Sequence, residues 1–104
     1  MRYPIRGRLA PCLLLVAFLG TACGPTAYTA KIIPAARAVE QARVAEAPEN
    51  APYEYYYAEA HLHKAREEAG ESSYQDAVDY ARTAAEYGTK ARDLSRRRMR
   101  EMGR

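Results

Sequence analysis

The 104-residue chain contains no tryptophan and one phenylalanine, Phe18, which lies in its first segment. It has two cysteines, Cys12 and Cys23. Its longest apolar stretch, Leu9 to Ala22, contains Pro11 and falls short of the about 20 apolar residues that a spanning helix needs. Catalytic contexts are missing too. No G-x-S-x-G or comparable setting presents a nucleophile beside a base, and nothing in the spacing of the acids marks two of them as a working pair. His61 and His63 stand two apart, which on a helix separates them by about 200°, so they cannot chelate one metal together. His63 is better placed for ion pairs with Glu59 or Glu67, four residues away on either side. These absences predict no catalytic residues, no metal and no cofactor.

What is present starts with Arg2, Arg6 and Arg8 ahead of the apolar run Leu9–Leu19, followed by the small residues Gly20, Thr21 and Ala22 and then Cys23. A charged start, a short apolar run and a small-residue zone make a secretory signal. The cysteine directly behind it resembles the lipobox of a bacterial lipoprotein, in which the cysteine is acylated and becomes the new N-terminus. Gly20 stands where a lipobox usually has leucine, and Leu19 is one place further back. The competing reading is an ordinary signal, cleaved after Ala22 to leave a soluble secreted protein. Residues 1–22 are thus expected to be a lipoprotein signal peptide, and 23–33 the acylated cysteine and its tether. Gly24 in place of an aspartate resembles lipoproteins sorted to the outer membrane.

Removing residues 1–22 takes three arginines and no acid, so the chain from Cys23 onward carries thirteen basic and thirteen acidic residues. The precursor's pI near 9.0 therefore says nothing about a basic mature protein. Cys23 is its one cysteine, which excludes an intrachain disulfide. About 80 residues support one small, marginally stable core. The fold class expected is all-α, a helical hairpin or small three-helix bundle over residues 34–104. Pro34 suits a first helical position, so the helices are placed at about 34–47, 52–69 and 73–102. Tyr55, Ala58, Leu62, Ala65 and Ala69 keep helical spacing in the second. Gly70 reads as its stop, and Ser72 or Ser73 as the next cap, with Asp76 three residues after Ser73.

The third helix carries two stripes. One is Ala77, Tyr80, Ala84, Tyr87, Ala91 and Leu94; the other is Tyr74, Val78, Ala81, Ala85 and Gly88. Together they cover an arc of about 200°, wide enough to pack two neighbours. After Leu94 the core-facing angles fall on Ser95 and Arg98, so the last turns are expected to project past the bundle.

Ala65, Ala69, Gly70, Tyr74, Ala77, Ala81 and Ala84 resemble a tetratricopeptide hairpin, without its usual Leu, Gly and Tyr in the first helix. The closer resemblance is to small Gram-negative envelope lipoproteins of the domain-of-unknown-function family 4398. The residues carrying it are an Ala-Pro junction (Ala47-Pro48 or Ala51-Pro52), Ala58, Leu62 and Ala65 in one arm, and Tyr74, Ala77, Ala81 and Ala84 in the other. The resemblance implies a location and a shape, and supplies no activity.

Two surfaces are candidate partner contacts. Nine tyrosines, with Tyr53, Tyr55, Tyr56 and Tyr57 crowded together, either fill gaps between alanine-lined helices or present an interaction face on Tyr56, Ala60 and His63. The arginines Arg96, Arg97, Arg98 and Arg100, with Met99 among them, either complement the helix dipole or contact an anionic surface or partner. Export removes a nucleic-acid context. The function expected is a lipid-anchored periplasmic structural or adaptor protein acting through helix faces. It would bind the membrane through lipid on Cys23, with an envelope protein as partner and self-association as a further option. The alternative is an accessory lipoprotein that binds a glycan or small molecule on the tyrosine-rich face.

Overall fold

The computed structural model describes residues 23–103, so residues 1–22, where the signal peptide is expected, and Arg104 lie outside the described residues. Four helices follow one another: α1 (Cys23–Val44), α2 (Ala47–Asn50), α3 (Pro52–Gly70) and α4 (Tyr74–Glu101). The described residues contain no strand. The protein is an all-α bundle in which α1, α3 and α4 run up, down and up, and α2 forms the corner between the first two.

The long helix α4 is the centre, with α1 packed along one side of its apolar arc and α3 along the other. Both stripes turn inward. Ala77, Val78, Ala81, Ala84, Gly88 and Ala91 are buried, and Tyr80, Ala85, Tyr87 and Leu94 pack half-buried against the core. The core is thin. Twelve of its sixteen buried hydrophobic residues are alanines, and the larger ones are Val39, Tyr55, Leu62 and Val78. Small side chains bury little area each, so the helices must approach closely to exclude water.

The α1–α4 seam shows how close. A Cβ built on Gly88 would lie 2.9 Å from the carbonyl carbon of Ala38 and 3.0 Å from the nitrogen of Val39. One on Gly24 would lie 2.8 Å from Cδ2 of Tyr74. Ser95 donates to the carbonyl of Ala45 at 2.5 Å. Each pair, Gly24 with Tyr74, Ala38 with Gly88 and Ala45 with Ser95, is 50 residues apart. A constant offset along both helices means that they lie parallel and in register. Gly88 is therefore the contact that lets two backbones meet, and its propensity penalty is offset by that approach.

Four features differ from the sequence expectation. Residues 23–33 are the first half of α1 rather than a tether, and Pro34 lies inside that helix. Pro34 is exposed, so the carbonyl it leaves without an N–H partner faces water, and the segment before it is held by tertiary contacts. Tyr28 packs against Tyr74 with ring centroids 6.5 Å apart, and Ile32 lies against the core. The first helix also ends at Val44, because Glu46 turns left-handed (φ 60°) and its N–H bonds to Arg43 O at 3.0 Å. The α3 terminus uses Ser72, not Gly70, as its left-handed residue (φ 64°). Ser73 N–H reaches Glu68 O at 2.9 Å and Ser72 N–H reaches Ala69 O at 3.0 Å, the paired bonds of a Schellman end. Ser73 holds the cap position of α4, but its side chain makes no capping bond.

The fourth difference is at the end of α4. Ser95 is fully buried, and it bonds the Ala45–Ala51 corner rather than marking the start of a free projection. Asn50 Nδ2 donates to Ser95 Oγ at 3.3 Å, and Arg98 donates to the Asn50 carbonyl. A polar residue at a core angle here latches the corner between α1 and α3.

Candidate functional site

The parallel register of α1 and α4 decides where the candidate residues sit. Cys23 is exposed at the first position of α1, beside the start of α4 and the α3–α4 turn. The arginines lie at the other end of α4, whose 28 residues span about 42 Å at 1.5 Å per residue. The anchor candidate and the basic cluster occupy opposite poles.

At the basic pole, Arg96, Arg97 and Arg100 are exposed and Met99 is half-buried. Arg98 departs from the expectation of a free contact residue, because its guanidinium is committed to the Asn50 carbonyl. Between the first turn of α3 and the last turns of α4 lies an open groove of about 480 Å³, lined by Glu54, Lys90, Asp93, Leu94, Arg97 and Arg100. Leu94, Arg97 and Arg100 stand three residues apart on one face of α4, and Glu54 lies across from them, a placement that the sequence did not signal.

The Tyr56–Ala60–His63 face is open. All three residues are exposed, Tyr56 at 54 %, so α1 leaves this side of α3 uncovered. They border a shallow depression of about 390 Å³ with Glu59, Leu62 and Arg66. Tyr56 rests edge-on against Tyr55, with ring centroids 5.1 Å apart. Burial of the Tyr55 phenol, with the Glu59 carboxylate beside it, pushes its pKa up to about 12.

Tyr53, Tyr57, Tyr80 and Tyr87 gather at the α3–α4 seam. Tyr57 stacks on His61 at 4.1 Å and meets Tyr87 at 4.3 Å and Tyr53 at 5.9 Å. His61 lies 5.7 Å from Tyr80, and its Nδ1–H donates to the Tyr57 carbonyl at 2.8 Å. These rings occupy one another's faces, which is the packing role of long aromatics between small-residue helices. A second open groove beside them, of about 440 Å³, adds Glu68, Asp76, Asp79 and Thr83. Glu68 there pairs with Lys64 at 2.8 Å, holding the lysine pKa above its usual value, and Asp79 pairs with Arg82 at 3.4 Å.

Among the described residues no cluster of three His, Cys, Asp or Glu is arranged to hold a metal ion. No described helix is long and apolar enough to cross a membrane. No protein-family model matches the chain, and neither the curated proteins nor the solved structures provide a match.

Proposed function

We propose that this chain is a non-catalytic, lipid-anchored structural or adaptor protein of the bacterial cell envelope. It is held by lipid on Cys23, at the outer membrane and facing the periplasm, and has an envelope protein as its partner. The observation that supports this reading is the polarity of the bundle. An exposed cysteine ends one pole, directly behind a signal-like segment, and the uncommitted arginines end the other. Such a molecule presents its basic pole outward from the surface that carries it. The resemblance to the 4398 family supports the same location. The accessory ligand-binding alternative draws less support, because the Tyr56–Ala60–His63 face is open to solvent and shallow.

The test is metabolic labelling with a fatty-acid analogue followed by membrane fractionation. Each buried methylene contributes about 0.8 kcal/mol, and stable anchoring takes two or more chains. Wild-type protein should incorporate label and sediment with membranes, and Cys23→Ser should lose both properties together. Wild-type protein that carries no lipid and fractionates as soluble would overturn the reading.

A further inference from the structure

We propose that the groove at the basic pole binds a peptide by its free C-terminal carboxylate. Six residues line it, and three of them are already committed. Lys90 pairs with Glu86 at 3.3 Å and sits 4.6 Å over the ring of Tyr87, and Asp93 pairs with Arg92 at 2.8 Å. Leu94 supplies the apolar floor. Glu54, Arg97 and Arg100 have no hydrogen bond or ion pair among the described residues, and all three face the same space.

Arg97 and Arg100 are three apart on α4, which puts their guanidiniums on one face, with Leu94 one further turn back. Planar guanidiniums recognise carboxylate and phosphate by paired N–H donors. Glu54, across the groove in the first turn of α3, decides between those two anions. A dianionic phosphate would meet the Glu54 and Asp93 carboxylates at close range. A peptide C-terminus carries one negative charge, and its backbone N–H groups stand just behind the carboxylate, where Glu54 can accept from them. Its last side chain, if aliphatic, lies on Leu94. The lining therefore complements a monoanion with adjacent donors and an apolar terminal residue. This sharpens the adaptor reading by naming the partner's chemistry. It needs no lipid on Cys23, so it stands or fails separately from the anchor.

The experiment is fluorescence anisotropy on the purified full chain at low salt, with an N-terminally labelled tetrapeptide ending in leucine. The free acid should bind saturably, and the same peptide with an amidated C-terminus at least about tenfold more weakly, the worth of one charge-assisted hydrogen-bonded pair. Arg97→Gln and Arg100→Gln should each weaken the free acid by a similar factor. Arg96→Gln, an exposed arginine outside the groove, should leave binding unchanged. Glu54→Gln, which keeps an acceptor oxygen but loses the charge, should retain the peptide and let inorganic phosphate compete where it does not compete with the wild type. Circular dichroism of each variant confirms that the helices are intact. Equal binding of acid and amide would overturn the proposal. So would equal losses for Arg96→Gln and Arg97→Gln, or no saturation by the free acid at millimolar concentration on folded protein.

Discussion

At the scale of single residues, Ser95 does more than its size suggests. Among the described residues it is the largest fully buried side chain, and its hydroxyl joins the Ala45 carbonyl to Asn50, so one oxygen ties α4 to the corner between α1 and α3. Ser95→Ala removes a buried bond and strands the acceptor, which should cost about 1–2 kcal/mol. Chemical unfolding of the helical domain measures it, and a change within error would show that water satisfies the corner equally well. Tyr55 gives a second residue-level test. Its folded-state pKa, about 12, lies above the roughly 10 of an unfolded tyrosine. A raised pKa means that the contribution to stability is complete below pH 10 and is lost as pH rises from about 10 to 12. Tyr55→Phe should flatten the decline in melting temperature across that window, after the other tyrosines are allowed for by the matching change at exposed Tyr56.

At the scale of helices, Gly88 and Gly70 should respond to alanine with opposite signs. Alanine in a helix is worth about 1 kcal/mol over glycine. At Gly70, where an added Cβ meets nothing within 4 Å and the backbone is not left-handed, Gly70→Ala should stabilise by a fraction of that. At Gly88 the same Cβ would press on the backbone of Ala38 and Val39, and backbone cannot rotate away. Gly88→Ala should therefore destabilise, by about 1–3 kcal/mol as an overpacked site. Paired thermal melts decide it, and a stabilised Gly88→Ala would mean that the two helices do not lie as close as described. The same helices show what was readable beforehand. The double stripe on α4 announced two neighbours, because an apolar arc of that width is more than one packed helix can cover, and α1 and α3 take those places. The first half of α1 was hidden by Pro34, since a local rule favours a helix start there, while Tyr74, far along the chain, supplies the contact that extends the helix back to Cys23. Ser95 was misleading for the same reason. A hydroxyl at a core angle reads as the end of the core until its partners, 50 and 45 residues away, are in place. Of the candidate contacts, the exposure of Arg96, Arg97 and Arg100 followed from their place beyond the apolar stripes, whereas that of Tyr56, Ala60 and His63 depended on which side of α3 the first helix leaves open. The commitment of Arg98 and the placement of Glu54 came only from how the corner folds.

At the scale of the whole molecule, the absence of a tether between Cys23 and the bundle changes what an anchored protein can do. A lipidated cysteine followed by ten flexible residues would let the arginines fold back onto anionic lipid. Here α1 starts at Cys23 itself, and the parallel α4 carries the arginines about 35 Å along the same direction. That distance is several times the Debye length of about 8 Å at physiological ionic strength, so an upright molecule feels no pull between its basic pole and the bilayer. Lying flat would need an apolar side to sink into the interface. The exposed large hydrophobics are instead scattered: Ile33 and Val44 on α1, Tyr53 and Tyr56 on α3, and Met102 beyond α4. The proposed anchored form should therefore stand upright. With Cys23 acylated, a cysteine introduced by Met102→Cys or Gly70→Cys becomes the single site for a thiol-reactive fluorophore. In vesicles with an acceptor dye in the headgroups, the label at position 70, near the anchored pole, should transfer energy efficiently. The label at position 102 should transfer weakly, and raising the salt should not change the difference. Equal transfer from both positions would mean that the bundle lies along the membrane, placing the arginines on lipid and not in reach of a partner.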